Sequence, residues 1–467
     1  MKIRDFTALS LLGICCFLLP ILTTAASLDE HKAAVSSDTD PLKSVIILSP
    51  GSDVRRESYY FYEDSPFLSL SYWDGMVQQY GKLLGLLKKN GVRTLDVVDL
   101  LQNAISNAQK AGKLEGALAE IFPDQFPRLK DKIDQITAGV MLGRSSQFFF
   151  NYHDKGYLDP LIPLSGAFFF TRDIAVSTPR GMIITNSRSK WRKHEHLMAR
   201  FIFQFSDELK THPIIFDAER EGVHCEGGDI IVKDDKTLLM GIGNFSDREA
   251  AQKIAQKLNL DVVGVSMPPF ENLSGANFEI LHLDTVFNLV DHKKALTIPY
   301  FFLKKYDADN PVIKYLKAFH DRPKKEPEKG EFDFPSSMKK ALDSIPKVGW
   351  LTLFRAGTGE AQELGEKLGD YLTAQGFEII PVGGEKGTMR EDQYLDERAL
   401  YELSLQAANV VQLASGKVIA YAHNKYTNQA LRGRGVKVLV FEGKYLADSL
   451  GGPHCLTMPL VRMPKPN

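Results

Sequence analysis

The chain has 467 residues, ample for a large buried core and, at about 150 residues per domain, for about three domains. Hydrophobic residues make up 44% and charged residues 25%, with 36 Gly and 23 Pro spread along the chain, which excludes intrinsic disorder and a collagen-like fibre. Lys and Arg (57) nearly cancel Asp and Glu (58) and no block of like charge stands out, which argues against a nucleic-acid partner and for a small or neutral one.

At the N-terminus Lys2 and Arg4 precede an apolar run from Phe6 to Leu22, and small residues follow through Ser27. This order predicts a secretory signal peptide over 1–26 and a secreted or periplasmic protein. An uncleaved anchor is the weaker reading, because the run is short for a membrane span and Pro20 breaks it; no stable membrane insertion is expected after cleavage. Cys15 and Cys16 leave with the signal, and Ile14 stands where a lipidated cysteine would need a small residue before it, so lipidation is discounted. Only Cys225 and Cys455 remain, too few for a disulfide scaffold or a Cys-rich zinc site.

Next, Ser44 to Leu48 reads as a strand ending in the Ser49-Pro50-Gly51 turn. Val77, Tyr80, Leu84 and Leu87 recur at helical spacing with Gly91 as the stop, and a strand is expected from Val92 to Val98. From Asp99 to Gly143 the composition is helical, with Pro123 and Pro127 as breaks. A helical satellite over 99–146, inserted in one domain over 43–467, is preferred to a separate domain of so few residues. Strands then recur at Gly181 to Thr185, Ile230 to Val232, Leu238 to Met240, Val286 to Val290, Val348 to Leu353, Glu378 to Val382, Val410 to Leu413 and Val436 to Phe441. Helices are expected between several of them, at Asp247 to Leu258 and Gly359 to Gln375, so the order strand-strand-helix-strand repeats without repeated residue identity. The Pro-rich, charged stretch from Asp321 to Ser337 reads as a surface insertion, with a domain linker as the alternative.

Residues able to do chemistry gather at turns and strand ends: Phe170-Thr171-Arg172-Asp173, Glu226-Gly227-Gly228-Asp229, His282-Leu283-Asp284 and Gly451-Gly452-Pro453-His454-Cys455. Each alone is a weak signal, since such turns arise by chance and a lone histidine is most often structural. His282 and Asp284, two apart, would share one face if they lie on a strand. Together the four segments make a coherent centre. A thiol needs a base or a cation to become a nucleophile near neutral pH, and an imidazole serves as general acid and base. Asp173 and Asp284 can each accept a pair of N–H bonds, which fits the planar fork of a guanidinium, and Glu226 can keep His282 protonated.

The order FTRD, EGGD, HLDTVF and GGPHCLTMPLVR resembles the arginine deiminases of the guanidino-group-modifying superfamily. The likeness extends over the Lys43 to Gly51 opening, the helical insertion and Asn424 to Asn428. The insertion favours arginine deiminase over agmatine deiminases and amidinotransferases. The resemblance implies an α/β fold, a five-bladed pseudo-symmetric propeller (pentein) with its site on the pseudo-fivefold axis. It also implies hydrolysis of L-arginine to citrulline and ammonia through a Cys thiouronium, with neither cofactor nor metal. Cys455 would be the nucleophile, His282 the acid and base, Asp173 and Asp284 the guanidinium clamps; Glu226 would contact substrate or His282, Phe170 would pack on the guanidino group, and Arg192 matches a carboxylate-binding arginine. Asp229, Gly227 and Gly228 are expected to shape the strand entry.

Three further anchors differ from the family's pattern: Ala167 replaces an asparagine, and Phe245 and Leu450 replace arginines. Free arginine is therefore expected to bind more weakly than the intact catalytic set would suggest, and guanidines whose far end is apolar or amide-like to suffer less. A decorated guanidine or peptidyl-arginine is the alternative substrate, and a catalytically silent protein that captures a cation is the competing class. Both remaining thiols are expected to be free, because strand alternation turns Cys225 away from the side that Glu226 faces. A homo-oligomer stays open.

Overall fold

The computed structural model describes residues 34–55, 72–145, 150–152, 158–160, 162–267, 280–310, 312–314, 343, 345–384 and 397–463. The expected signal peptide and the 321–337 stretch lie outside the described residues.

Among the described residues, five sheets share one wiring: an antiparallel pair of strands, and a third strand added parallel to the second. In the first sheet Met458–Arg462 runs antiparallel to Leu42–Ile47, and Arg93–Asp96 lies parallel to the latter. The second contains Ala175–Thr178, Gly181–Ile184 and Ile214–Asp217. The third contains Ile230–Val232, Thr237–Ile242 and Asp261–Ser266, the fourth Phe287–Asp291, Lys294–Thr297 and Glu378–Pro381, and the fifth Val411–Ala414, Lys417–Tyr421 and Lys437–Phe441. A helix leads into each parallel strand, since a parallel return needs a crossover. These helices are Trp73–Lys89, Lys193–Phe205, Arg248–Leu258, Leu368–Ala374 and Lys425–Gly433. Outside the first sheet, whose antiparallel strands lie far apart in sequence, the antiparallel pairs need only tight turns; in one, Gly181 takes φ +137 and Thr178 Oγ1 donates to its carbonyl at 2.7 Å.

Three expectations need correction. The 359–375 segment is not one helix: Ala361–Lys367 is a strand antiparallel to Trp350–Phe354, which itself extends the third sheet, and only Leu368–Ala374 is helical. Gly359 and Gly365, at φ +67 and +68, are incompatible with a helix there, and strand pairing decides the outcome. The first helix buries Met76, Tyr80, Leu83 and Leu87, while Val77 is 41% exposed and lies off the packed face. The strand expected to reach Val98 ends at Asp96, whose carboxylate accepts from Val98 N at 3.0 Å and starts the next helix. Helices Val97–Lys110 and Leu114–Ile121 of the 99–146 stretch put Leu101, Ile105 and Leu118 into a core shared with Ile46, Phe201 and Met458.

The chain entering the first strand of each pair is hydrogen-bonded to the same point of another sheet. Arg172 N donates to Cys455 O (3.1 Å) and Gly227 N to Asp173 O (3.0 Å). Leu283 N donates to Asp229 Oδ1 (2.9 Å), Asn409 Nδ2 to Asp284 O (3.2 Å), and Cys455 N to Asn409 Oδ1 (3.1 Å). The series thus passes through all five sheets and returns to its start. Beneath it the buried Arg172 guanidinium donates to Ile230 O at 2.5 Å and pairs with Asp38 at 3.3 Å, as a buried cation must.

Candidate active site

Every sequence-predicted site residue except Arg192 sits at one of these strand entries. Asp173 stands two residues before Ala175, Glu226 four before Ile230, Asp284 three before Phe287 and Cys455 three before Met458. His282 and Asp284 are not on a strand. His282 is extended and precedes the short helix Leu283–Val286, which carries Asp284, so strand alternation does not relate the two side chains. Asp229 holds that turn, accepting from Leu283 N at 2.9 Å and from Ser246 Oγ at 2.6 Å. Two glycines permit the close approach: a Cβ at Gly227 would lie 2.0 Å from Arg172 O, and one at Gly228 would lie 2.6 Å from His282 Nδ1.

His282 is 5% exposed and lies between two carboxylates, its Nε2 3.2 Å from Glu226 Oε2 and its Nδ1 3.7 Å from Asp173 Oδ1. Burial alone would favour the neutral ring, but Asp173, Glu226 and Asp229 outweigh it and raise the imidazolium to about 10. Glu226 is the converse: despite burial, Arg192 and His282 hold it well below the usual carboxylate range. Burial raises Asp173, against the pull of His282 and Arg192.

Arg192, at the start of the helix Lys193–Phe205, reaches this cluster. Its Nη1 bonds Asp173 Oδ2 (3.0 Å) and Glu226 Oε2 (2.8 Å), its Nε bonds Glu195 Oε2 (3.0 Å), and its Nη2 bonds Ala167 O (3.2 Å). A guanidinium therefore already lies on Asp173, held by the protein's own carboxylates. Asp173 Oδ1 accepts no hydrogen bond from the described residues.

Cys455 is 4% exposed, with Sγ 3.7 Å from Asp284 Oδ2. Burial, then Asp284 and Asp173, push its thiol well above the ordinary range, so the free site holds a thiol and not a thiolate. His454 Nδ1 lies 2.8 Å from the same Asp284 Oδ2. Phe170 lies against the Cys455 turn, where a Cβ at Gly451 would come within 2.3 Å of the ring. Phe245 packs edge-on against His282, with ring centroids 4.7 Å apart. Leu450 adopts φ 64, and Ala167 is buried.

Cys225 is buried and free, as is Cys455, and it belongs to an apolar cluster with Val176 and Ile230. The ligand atoms of Asp173, Glu226 and His282 lie within 4.8 Å of one another, close enough for a metal ion, but this chemistry suits a cation that donates hydrogen bonds. His282 carries a proton on each nitrogen when charged, and Arg192 already bonds both carboxylates.

The family profile described as arginine deiminase matches residues 67–462. The chain belongs to the arginine deiminase family. An arginine deiminase of Metamycoplasma arthritidis is 25% identical over 450 residues, covering 92% of this chain and 96% of its own. That of Staphylococcus haemolyticus is 25% identical over 462 residues, covering 92% and 98%. Among solved structures, an amidinotransferase from Microseira wollei aligns at a TM-score of 0.47 and 12% identity, over 92% of this chain and 97% of its own.

Within this arginine deiminase family member, sequence reasoning named His454 without giving it a role and missed Asn409. His454 is fully buried on Asp284, and Asn409 contacts Cys455 Sγ at 3.0 Å. Position was the available signal for Asn409: it stands two residues before Val411 in the fifth sheet, as Asp173 stands two before Ala175 in the second.

Proposed function

We propose that the protein is a hydrolase that removes one terminal nitrogen of a guanidino substrate as ammonia, converting L-arginine to L-citrulline. The observation that carries this reading is the gathering of a buried thiol, an imidazolium and the carboxylates of Asp173 and Asp284 at strand entries linked by hydrogen bonds. The repeated strand-strand-helix-strand wiring and the returning series of hydrogen bonds support a five-bladed propeller around that site. The Lys2 to Ser27 pattern supports export to a secreted or periplasmic location.

A substrate guanidinium bound by Asp173 and Asp284 neutralises the charges that raise the Cys455 thiol, and so lowers its pKa where the nucleophile is needed. The thiol gives up its proton to solvent as the guanidinium binds, and the thiolate attacks the guanidinium carbon, forming the C–S bond while the C=N π pair moves onto nitrogen. The C–N bond to one terminal nitrogen breaks, and His282 supplies the proton with which it departs as ammonia. His282, now neutral, takes a proton from water as that water adds to the thiouronium carbon. The C–S bond then breaks as the C=O bond forms, returning the electron pair to Sγ, and the hydroxyl proton passes to Sγ, which leaves the ureido product and restores the thiol. Glu226 keeps His282 charged before each cycle, and Phe170 shields the guanidino group from water.

A second reading within the same chemistry has its own support. Arg192 is engaged by Asp173, Glu226, Glu195 and Ala167, while Lys193 and Arg248 pair outward with Glu219 and Glu363. Phe245 and Leu450 offer apolar contact in place of cations. An ionised α-carboxylate then lacks charge-assisted hydrogen bonds of about 1.5 to 3 kcal/mol each, roughly tenfold or more in affinity. This favours a guanidine with an amide-like or apolar far end, such as peptidyl-arginine. Ammonia release from L-arginine, arginine amide, agmatine and a peptidyl-arginine, by wild type and by a Phe245→Arg/Leu450→Arg variant, tests both readings. The second expects arginine amide to be preferred by wild type and kcat/KM for free arginine to rise roughly tenfold or more in the variant. Strong preference for free arginine with no gain in the variant leaves plain arginine deiminase, and no release from any guanidine overturns both.

A further inference from the structure

Asn409 precedes the strand Val411–Ala414, is fully buried, and is surrounded by the moving parts of the reaction. Its Oδ1 accepts from His454 N at 3.0 Å and Cys455 N at 3.1 Å. Its Nδ2 donates to Asp284 O at 3.2 Å and to Cys455 Sγ at 3.0 Å. A carboxamide has two donor hydrogens and two acceptor lone pairs, and here all are used. That settles its orientation: turned over, it would present N–H groups to two backbone N–H donors. The amide N–H therefore faces the sulfur. The packing leaves it no alternative place, because a Cβ at Gly452 would lie 2.4 Å from Asn409 Oδ1 and 2.5 Å from its Cβ.

We propose that Asn409 is a catalytic residue whose side-chain N–H stabilises the Cys455 thiolate while its carbonyl fixes the turn that aims the sulfur. The inference rests on Cys455 being the nucleophile. A neutral amide donor gains most when its acceptor becomes an anion. The remaining charged surroundings of the sulfur oppose that anion: the Asp284 carboxylate lies at 3.7 Å, and Asp173 acts through space. The nearby Tyr421 hydroxyl is turned away, donating to Gly451 O at 2.9 Å, and His454 Nδ1 is on Asp284. Beside the backbone hydrogen bond at Gly452, Asn409 thus supplies a side-chain donor that exists before substrate arrives. It acts twice, first when Sγ carries its lone pair to the guanidinium carbon, and again when the C–S bond breaks and the pair returns to sulfur.

The test follows alkylation of Cys455 by iodoacetamide against pH, with the modified peptide identified by mass so that Cys225 does not contribute, together with kcat and KM for a turned-over guanidine. Asn409→Ser shortens the side chain away from sulfur and Asn409→Ala removes the donor outright, and neither adds a charge beside the thiol. In either folded variant the alkylation profile should move up by about one pH unit or more, with kcat falling roughly tenfold or more and KM changing less than about threefold. A structural role alone would lower the melting temperature without moving the profile. A folded variant that alkylates along the wild-type profile overturns the proposal. Should neither variant fold, the Asn409 side-chain amide resonance of ¹⁵N-labelled wild type must shift as Cys455 titrates, and a resonance that stays fixed overturns it equally. Alkylation needs no substrate, so failure to turn over any guanidine would count against the proposed function and leave this result readable.

Discussion

Cys455→Ala protein is expected to release no measurable ammonia from any guanidine, a loss on the order of a millionfold, while still binding the substrate cation. Removing the sulfur removes the one nucleophile that the described residues place to form the covalent intermediate, whereas the carboxylates that attract a guanidinium remain. Burial and the Asp284 and Asp173 charges already hold the wild-type thiol protonated in the empty site, so deleting it takes away no resting charge. Isothermal titration with the best substrate should give a Kd within about tenfold of the wild-type value. Ammonia release near the wild-type rate would remove Cys455 from the mechanism.

His282→Gln should lower kcat by roughly 10²- to 10⁴-fold, because departing ammonia and attacking water both depend on proton transfer at that ring. The raised pKa of His282 also fixes a pH signature. As a general acid in the free enzyme it is charged below about 10, so wild-type kcat/KM should fall as pH rises through that value. The sign for stability is the same. Its folded pKa of about 10 lies above the ordinary histidine value of 6.5, so the contribution of the charged ring is fully present below 6.5 and is lost as pH rises through 10. Melting curves of wild type and His282→Gln should therefore differ most near pH 6 and converge above pH 10. A variant that keeps wild-type turnover and shows the same pH profile would exclude His282 from both proton transfers.

Much of the fold is legible in the β-rich runs and the helical patterns between them, because both reflect burial of the same chain segments the structure buries. Ala361–Lys367 is not legible: six of its seven residues remain exposed or half-exposed, and its strand form comes from pairing with Trp350–Phe354. Four site segments could be found because each packs several chemically unusual residues into a few positions, two of them beside glycines that admit close approach. Asn409, within Gln406-Ala407-Ala408-Asn409-Val410, has no such neighbours, and its importance comes from meeting the Cys455 turn 46 residues later. The Arg192 assignment shows the opposite limit. Its motif suggests an anchor for a substrate carboxylate, but the packing of its helix delivers it to Asp173 and Glu226, a destination fixed by tertiary contacts.

The most direct test of the central claim is the mass of the Cys455 peptide from enzyme quenched with acid during steady-state turnover. A covalent thiouronium predicts that peptide at its own mass plus that of the substrate less ammonia, with the Cys225 peptide unchanged and no adduct in Cys455→Ala. Steady ammonia release with every Cys455 peptide unmodified under quenches fast enough to trap the intermediate, or an adduct on Cys225 in its place, would contradict it.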